Sequence, residues 1–351
     1  MQVSRHRGDK SPAKPGGGEE GSGTSRSVSQ YLTVDEDYVL PTGGEYAITI
    51  NFCEASGPFA RPVALREVLT SSVQLLGESS VGISEKVVLV DGLVFCAKRF
   101  RRVLVRKSRY GKSLERLAHV TTGCKYLVPL HGYIYTKRIK IVLCEYYAMG
   151  SLADLLAGAR ELGHTPLNWE KRIRIMVDVT RAISFIHNQT PPCQRYLAMN
   201  VHGNVKASNV FIKTDFSACL SDYGFVQLAE RTDQASYSPS RRLPEVTNFD
   251  GRLAAESDVY NFGVMVLDML GGPTAPFQTD SISKRLEEIK TGSLKFFEFV
   301  PEGWERKQAI DVLETALAST RRLPDTRPSI DRILGKLEKL LSSAESLLAH
   351  T

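Results

Sequence analysis

The sequence predicts an α+β fold in two lobes, a small β-rich one followed by a larger helical one, and a change of hydrophobic period carries that expectation. Before residue 150 the apolar runs have strand length. Val87-Val88-Leu89-Val90, then Asp91-Gly92, then Leu93 to Lys98 predicts a β-hairpin, because Asp-Gly supplies the positive φ that tight hairpin turns demand. Ile139 to Glu145 is a further strand. After residue 150 the spacing becomes helical: Ile173, Met176, Val179, Ile183 and Ile186 recur three or four apart behind Asn168, a residue suited to an N-cap. Asp258 to Leu270 is a second buried helix, stopped by Gly271-Gly272-Pro273, and Ile330 to Leu348 an amphipathic third.

The chain has 351 residues, of which 42% are hydrophobic and 24% charged, figures typical of a globular protein able to bury a core. The net charge of +6 is too mild to imply a nucleic-acid partner. Six scattered cysteines without a CxxC pair predict reduced thiols, with neither a disulfide frame nor a zinc site. No stretch approaches the roughly 18 apolar residues of a membrane span, and neither a signal core nor a glycine after Met1 is present. The expected location is cytoplasmic, with peripheral attachment to the plasma membrane left open. Residues 1–40, rich in Gly, Ser and charge, are expected to be a disordered tail. Residues 41–64 form a lead-in, with a short strand at Tyr46 to Phe52, and residues 65–346 form the main domain, divided near residue 147.

Several motifs follow one another in that domain. Gly77-Glu78-Ser79-Ser80-Val81-Gly82 precedes the hairpin and matches G-x-G-x-x-G with Ser79 at the middle glycine. Bare backbone lets such a loop approach phosphates, so a side chain at Ser79 weakens the contact. Phe95-Cys96-Ala97-Lys98 ends the hairpin, and Glu115 is spaced for a helix ahead of Leu127-Val128-Pro129-Leu130. His202-Gly203-Asn204-Val205-Lys206-Ala207-Ser208-Asn209 is followed closely by Ser221-Asp222-Tyr223-Gly224, then by Leu243-Pro244-Glu245, Ser257-Asp258-Val259-Tyr260 and Arg327-Pro328.

In this order the motifs resemble those of the protein kinases: the glycine-rich loop, V-A-I-K, the catalytic loop H-R-D-L-K-x-x-N, D-F-G and A-P-E. The resemblance implies a two-lobed protein-kinase-like fold. It further implies that Gly77, Ser79, Gly82, Lys98, Glu115, Glu145 and Tyr146 contact ATP or present groups to it, and that Asn209 and Asp222 hold Mg²⁺. Lys98 and Glu115 are expected to form an ion pair, as are Glu245 and Arg327. Lys206 stands at the catalytic-loop lysine and Asn204 at the catalytic Asp. Leu65-Arg66-Glu67-Val68-Leu69, Leu75-Leu76-Gly77 and Glu145-Tyr146-Tyr147-Ala148-Met149-Gly150-Ser151-Leu152 are similar to the plant leucine-rich-repeat receptor-like kinases, in the atypical branch described as inactive.

Asn204 retains a carbonyl oxygen that can orient a hydroxyl, but an amide cannot take a proton, and general-base help is worth about 10²–10⁴ in rate. Gly203 in place of Arg removes a cation that a phosphorylated activation loop would pair with. Thr232, Ser236, Tyr237, Ser238 and Ser240 are the hydroxyls of that loop. Ser84 and Cys96 stand where Val and Ala would pack on adenine, so weak ATP binding is expected. Three readings remain open: a pseudokinase that binds receptor-like kinases or other signalling proteins, a slow Ser/Thr kinase, and a scaffold without nucleotide. Finally, Lys98, Arg99, Arg101, Arg102, Arg106, Lys107, Arg109 and Lys112 form a run without an acid. It is expected to be a solvated loop or a docking surface for an anionic membrane face or acidic partner.

Overall fold

The computed structural model describes residues 44, 47–56, 61–79, 81–103, 105–164, 167–190, 197–229 and 254–348. Its small lobe is built on six antiparallel strands in the order β1-β5-β6-β4-β3-β2. They are β1 (Asn51–Phe52), β2 (Ser72–Glu78), β3 (Gly82–Val88), β4 (Val94–Phe100), β5 (Leu130–Tyr135) and β6 (Lys140–Glu145). The hairpin forms, with Val88 opposite Val94 and Gly92 at φ 81° in the turn, but Leu89, Val90 and Leu93, expected in the strands, lie in the connection, where Leu89 N donates to Leu93 O at 2.8 Å. Only Asn51–Phe52 of the lead-in is a strand, and it joins the sheet beside β5; Tyr46 lies outside the described residues.

Strand alternation sorts these side chains onto two faces. Phe95 and Ala97 of β4, with Ile141 and Leu143 of β6, pack under helix α1 (Leu65–Thr70) in a core that includes Val63, Leu65 and Val68. Cys96, Lys98 and Phe100 therefore point the other way. On that side Phe100 and Val142 join helix α2 (Lys107–Thr122) in a second core that continues into the large lobe. Gly111 lets α2 lie close on the sheet, because a Cβ there would fall 2.5 Å from the Tyr133 hydroxyl.

The large lobe begins with α3 (Leu152–Glu161), opened by a Ser151–Asp154 capping box, and α4 (Trp169–His187). The Asn168 side chain caps α4 by accepting from Lys171 N, as the sequence predicts. Ile173, Met176, Val179, Ile183 and Ile186 are all buried. A small hairpin follows, β7 (Val210–Ile212) with β8 (Ala218–Leu220), and then the one-turn α5 (Phe225–Leu228). The remaining helices are α6 (Ala255–Gly271), α7 (Thr279–Lys284), α8 (Leu286–Thr291), α9 (Gly303–Ser319) and α10 (Ile330–Leu348). Helix α6 ends at Gly271, with Gly272 at φ 84°, where a β-carbon would be strained. Gly263 brings α6 against α9, since its Cβ would sit 2.8 Å from Ser319 Cβ. No described helix is long and apolar enough to cross a membrane.

Within the basic run, Lys98, Arg99 and Arg101 are engaged in ion pairs. Lys98 is buried in an ion pair with Asp222, Arg99 pairs with Glu85 at 2.9 Å, and Arg101 pairs with Glu78. The run is therefore not one exposed loop. It begins in a strand and ends in a helix, and its exposed members are Arg102, Arg106, Lys107, Arg109 and Lys112.

Candidate active site

A cleft of about 470 Å³ lies between the lobes. Of the residues singled out in the sequence, Gly77, Ser79, Lys98, Glu145, Tyr146, Lys206, Asn209 and Asp222 line it; Gly82, Glu115 and Asn204 do not. Ser84, Cys96 and Cys144 line it as well, the two thiols standing opposite each other on β4 and β6. Burial pushes the Cys96 thiol up to about 11.

Lys98 reaches the cleft because it alternates with Phe95 and Ala97 on β4. Its ammonium pairs with the Asp222 carboxylate. Burial alone would lower the Lys98 pKa, but the Asp222 charge and hydrogen bond overcome it, so the group is held above its ordinary value. Asp222 adopts φ 66°, a left-handed conformation that costs a non-glycine residue about 1–3 kcal/mol. Its surroundings enforce it: Gly224 follows at φ 75° against Leu117, and the Tyr223 hydroxyl donates to Met199 O.

Glu115 does not form the expected pair with Lys98. It lies on α2, as expected, but its carboxylate accepts from Glu54 N at 3.3 Å. The orientation of α2 decides this: the face toward the interior carries Tyr110, Leu114, Leu117 and Ala118, and Glu115 is at its margin.

The catalytic loop is held from below by Asp258, at the start of α6. This fully buried carboxylate accepts from His202 N at 2.7 Å, from Gly203 N at 2.8 Å, and contacts His187 Nε2 at 3.0 Å. His202 Nε2 bonds Ser221 O at 2.8 Å, while Nδ1 accepts from Asn204 N at 3.1 Å. The ring is thus neutral, with its proton on Nε2, and burial depresses its pKa. Asn209 Nδ2 donates to Asn204 O at 2.8 Å, which leaves Oδ1 as the free oxygen. Among the described residues the Asn204 carboxamide makes no hydrogen bond. The anchoring role of Asp258 was not legible in sequence beyond its place as an acid opening a buried helix.

The two glycines of the glycine-rich loop serve different ends. A Cβ at Gly82 would fall 1.9 Å from Arg99 O, so this glycine permits strand pairing. A Cβ at Gly77 meets nothing within 4 Å. Ser79 donates both N (2.8 Å) and Oγ (3.2 Å) to Gly82 O, tying the hydroxyl into its own turn. At the back of the cleft, Glu145 is held by His131 at 2.7 Å, and Lys86 lies 4.9 Å over the Tyr146 ring.

These groups suit a magnesium nucleotide. Lys98 and Lys206 supply cations, Asp222 a carboxylate and Asn209 a carbonyl oxygen, in a cleft within the usual range of about 300–1,000 Å³ for small-molecule sites. Desolvation lowers the Lys206 pKa, with Lys98 acting in the same direction and Asp222 against it. Glu245 and the hydroxyls at 232–240 lie outside the described residues. Arg327 donates to Glu256 O at 2.9 Å and Arg321 O at 2.8 Å, and lies over the Tyr260 ring.

Fold and cleft together define a protein kinase domain, and the family model described as protein kinase domain matches residues 70–338. The chain belongs to that family. Its relatives narrow the kind. An inactive leucine-rich repeat receptor-like serine/threonine-protein kinase of Arabidopsis thaliana is 30% identical over 292 residues, covering 79% of this chain and 45% of the relative. A probable inactive receptor kinase of the same plant is 29% identical over 290 residues, covering 80% and 44%. The chain thus spans somewhat under half the length of these curated relatives. Among solved structures, the pseudokinase domain of BIR2, an immune regulator of the RLK/Pelle family, superposes with a TM-score of 0.69 at 19% identity, covering 86% of this chain and 92% of that one. The maize SIRK1 kinase domain bound to AMP-PNP gives 0.63 at 25% identity, covering 80% and 97%.

Proposed function

We propose that this chain is a receptor-like-kinase-type pseudokinase, a signalling module that acts by binding other kinases or signalling proteins. One observation carries the reading: Asp258 anchors the catalytic loop at His202 and Gly203, yet the position of the base is Asn204. Fold and loop are kept while the proton acceptor is gone. The relatives named as inactive receptor kinases support it.

In this reading the cleft binds MgATP weakly. Lys98 and Lys206 meet phosphate oxygens, and Asp222 and Asn209 hold the metal, which supplies charge neutralisation when bound. Binding is weak because Lys98 and Asp222 must first separate and because Ser79 keeps its hydroxyl within the loop. Phosphoryl transfer rests mostly on positioning, and the retained cleft residues favour a slow Ser/Thr transfer as the second reading. The exposed cations Arg102, Arg106, Lys107, Arg109 and Lys112 steer the module toward an acidic partner or the anionic inner face of the plasma membrane.

The test is phosphotransfer by the purified chain beside Asn204→Asp. The wild type is expected to lack measurable transfer, and a rate in the ordinary kinase range of about 1–100 s⁻¹ would overturn the reading.

A further inference from the structure

We propose that the pocket between the end of α9 and the start of α10 is a docking site for a protein segment that carries a phosphorylated serine or threonine. The pocket shares no residue with the nucleotide cleft. It gives the module of the reading above a contact for its partner, and rests on that reading only for its role.

The loop that joins the two helices is built around one buried side chain. Arg327 donates through Nε to Arg321 O at 2.8 Å and through Nη2 to Arg322 O at 3.3 Å, which folds the loop back on itself. Pro324–Thr326 forms a 3-10 turn, closed by the Thr326 hydroxyl donating to Leu323 O at 2.7 Å. Arg321 Nη1 donates to Thr326 O at 3.1 Å, so its guanidinium lies across the turn. Its Nε and Nη2 have no partner among the described residues. On α10, Arg332 and Lys336 are four residues apart and share a face. Lys336 donates to Asp311 O at 2.8 Å, and among the described residues the Arg332 side chain makes no hydrogen bond or ion pair. Arg321, Arg332 and Lys336 line a pocket of about 420 Å³ together with Glu314, Asp325 and Thr326.

The charge of this pocket is unbalanced. Of its two carboxylates, Glu314 is already paired with Lys290, a residue outside the pocket, at 2.9 Å. Asp325 is exposed and is the one remaining acid against Arg321, Arg332 and Lys336. The excess of two positive charges matches a phosphomonoester, which carries about −1.5 to −2 near neutral pH. Guanidiniums with unused N–H groups suit its three oxygens better than a carboxylate, which has fewer oxygens and half the charge. Without an anion, Arg332 and Lys336 repel each other one turn apart, and a bound phosphate offsets that repulsion. The adjoining Leu323 is 66% exposed, and an apolar side chain next to the phosphorylated residue would bury it, which favours a peptide over free phosphate. Arg327 sets the loop beforehand, so little ordering is needed on binding.

The experiment measures binding of the full chain to a fluorescently labelled peptide, Ala-Leu-phosphoserine-Leu-Ala, beside its unphosphorylated form and a form with Glu at the central position. The parent is expected to bind the phosphopeptide about tenfold more tightly than either control, with affinity falling as salt rises. Arg332→Gln and Lys336→Gln should each lower that affinity about tenfold, the share of one charge-assisted contact. Neither residue pairs with a carboxylate among the described residues, so both variants should keep the parent's thermal unfolding. Lys295→Gln, an exposed cation outside the pocket, should bind as the parent does. Equal affinity for the three peptides, no binding to any of them, or phosphopeptide affinity retained in both α10 variants overturns the proposal. Vesicles of phosphatidylserine and phosphatidylcholine are run in parallel. Vesicle binding that Arg332→Gln removes, without phosphopeptide binding, overturns it in favour of a membrane contact. No arm uses nucleotide, so the transfer assay with Asn204→Asp decides the pseudokinase reading independently.

Discussion

The Lys98 ammonium meets the Asp222 carboxylate across the cleft, a pair formed by residues 124 apart in the chain and both almost fully buried. The contact joins the two lobes and occupies the cation and the carboxylate that a magnesium nucleotide would use.

Lys98→Met is therefore expected to act twice. It removes the thermal stabilisation by MgATP, since a ligand bound only to the folded state raises apparent stability. It also strands a buried carboxylate, at a cost of about 3–5 kcal/mol in urea unfolding. Adding Asp222→Asn should restore part of that stability but none of the nucleotide response.

Asp258→Asn is expected to loosen the catalytic loop. The carboxylate accepts from two backbone N–H groups and contacts His187, and an amide reproduces only part of this set. A loss of about 2–4 kcal/mol in urea unfolding is expected, with faster amide exchange at His202 and Gly203. A stability equal to that of the parent would contradict the anchoring role.

Stability should fall as pH drops below about 6.5. The folded His202 has a depressed pKa, because the ring is buried and its Nδ1 must accept from Asn204 N. Above the unfolded value both states are neutral at this residue and it contributes no slope. Below it the unfolded chain takes up a proton that the folded ring resists, down to the lower folded pKa. The contribution is at most about 1.4 kcal/mol per pH unit for this one residue. Urea unfolding between pH 7.5 and pH 5.5, compared with a His202→Gln variant, isolates it; equal slopes would contradict it.

The two loop glycines should separate cleanly. Gly82→Ala drives a methyl into Arg99 O and is expected to cost several kcal/mol or prevent folding, whereas Gly77→Ala meets open space and should stay within about 0.5 kcal/mol of the parent in thermal unfolding.

Charge reversal at Arg106, Lys107, Arg109 and Lys112 should abolish binding to vesicles rich in anionic lipid or to an acidic partner, with the fold intact. Parent binding should weaken steeply with salt, because exposed charges are screened beyond about 8 Å at physiological ionic strength. Arg101→Glu is different in kind, since it breaks the pair with Glu78, and it should destabilise the small lobe. Binding that survives the fourfold reversal would return these side chains to a solvated surface.

The sequence by itself determined the order of elements and the chemistry at each motif. The Asp91-Gly92 turn, the Asn168 cap and the end of α6 at Gly271 are local events, set by backbone preferences and by spacing within a few residues. So is the side-chain chemistry at Asn204, an amide that cannot take up a proton. Tertiary structure decided which charges meet. Glu115 sits on the helix its spacing requires, yet the rotation of α2 and the turn at Glu54 send it away from Lys98. Arg99 and Arg101 read as part of a basic run, yet Glu85 across the hairpin and Glu78 in β2 claim them. A charged side chain several ångströms long can reach alternative partners, and the choice rests on the packing of elements that the local pattern does not encode.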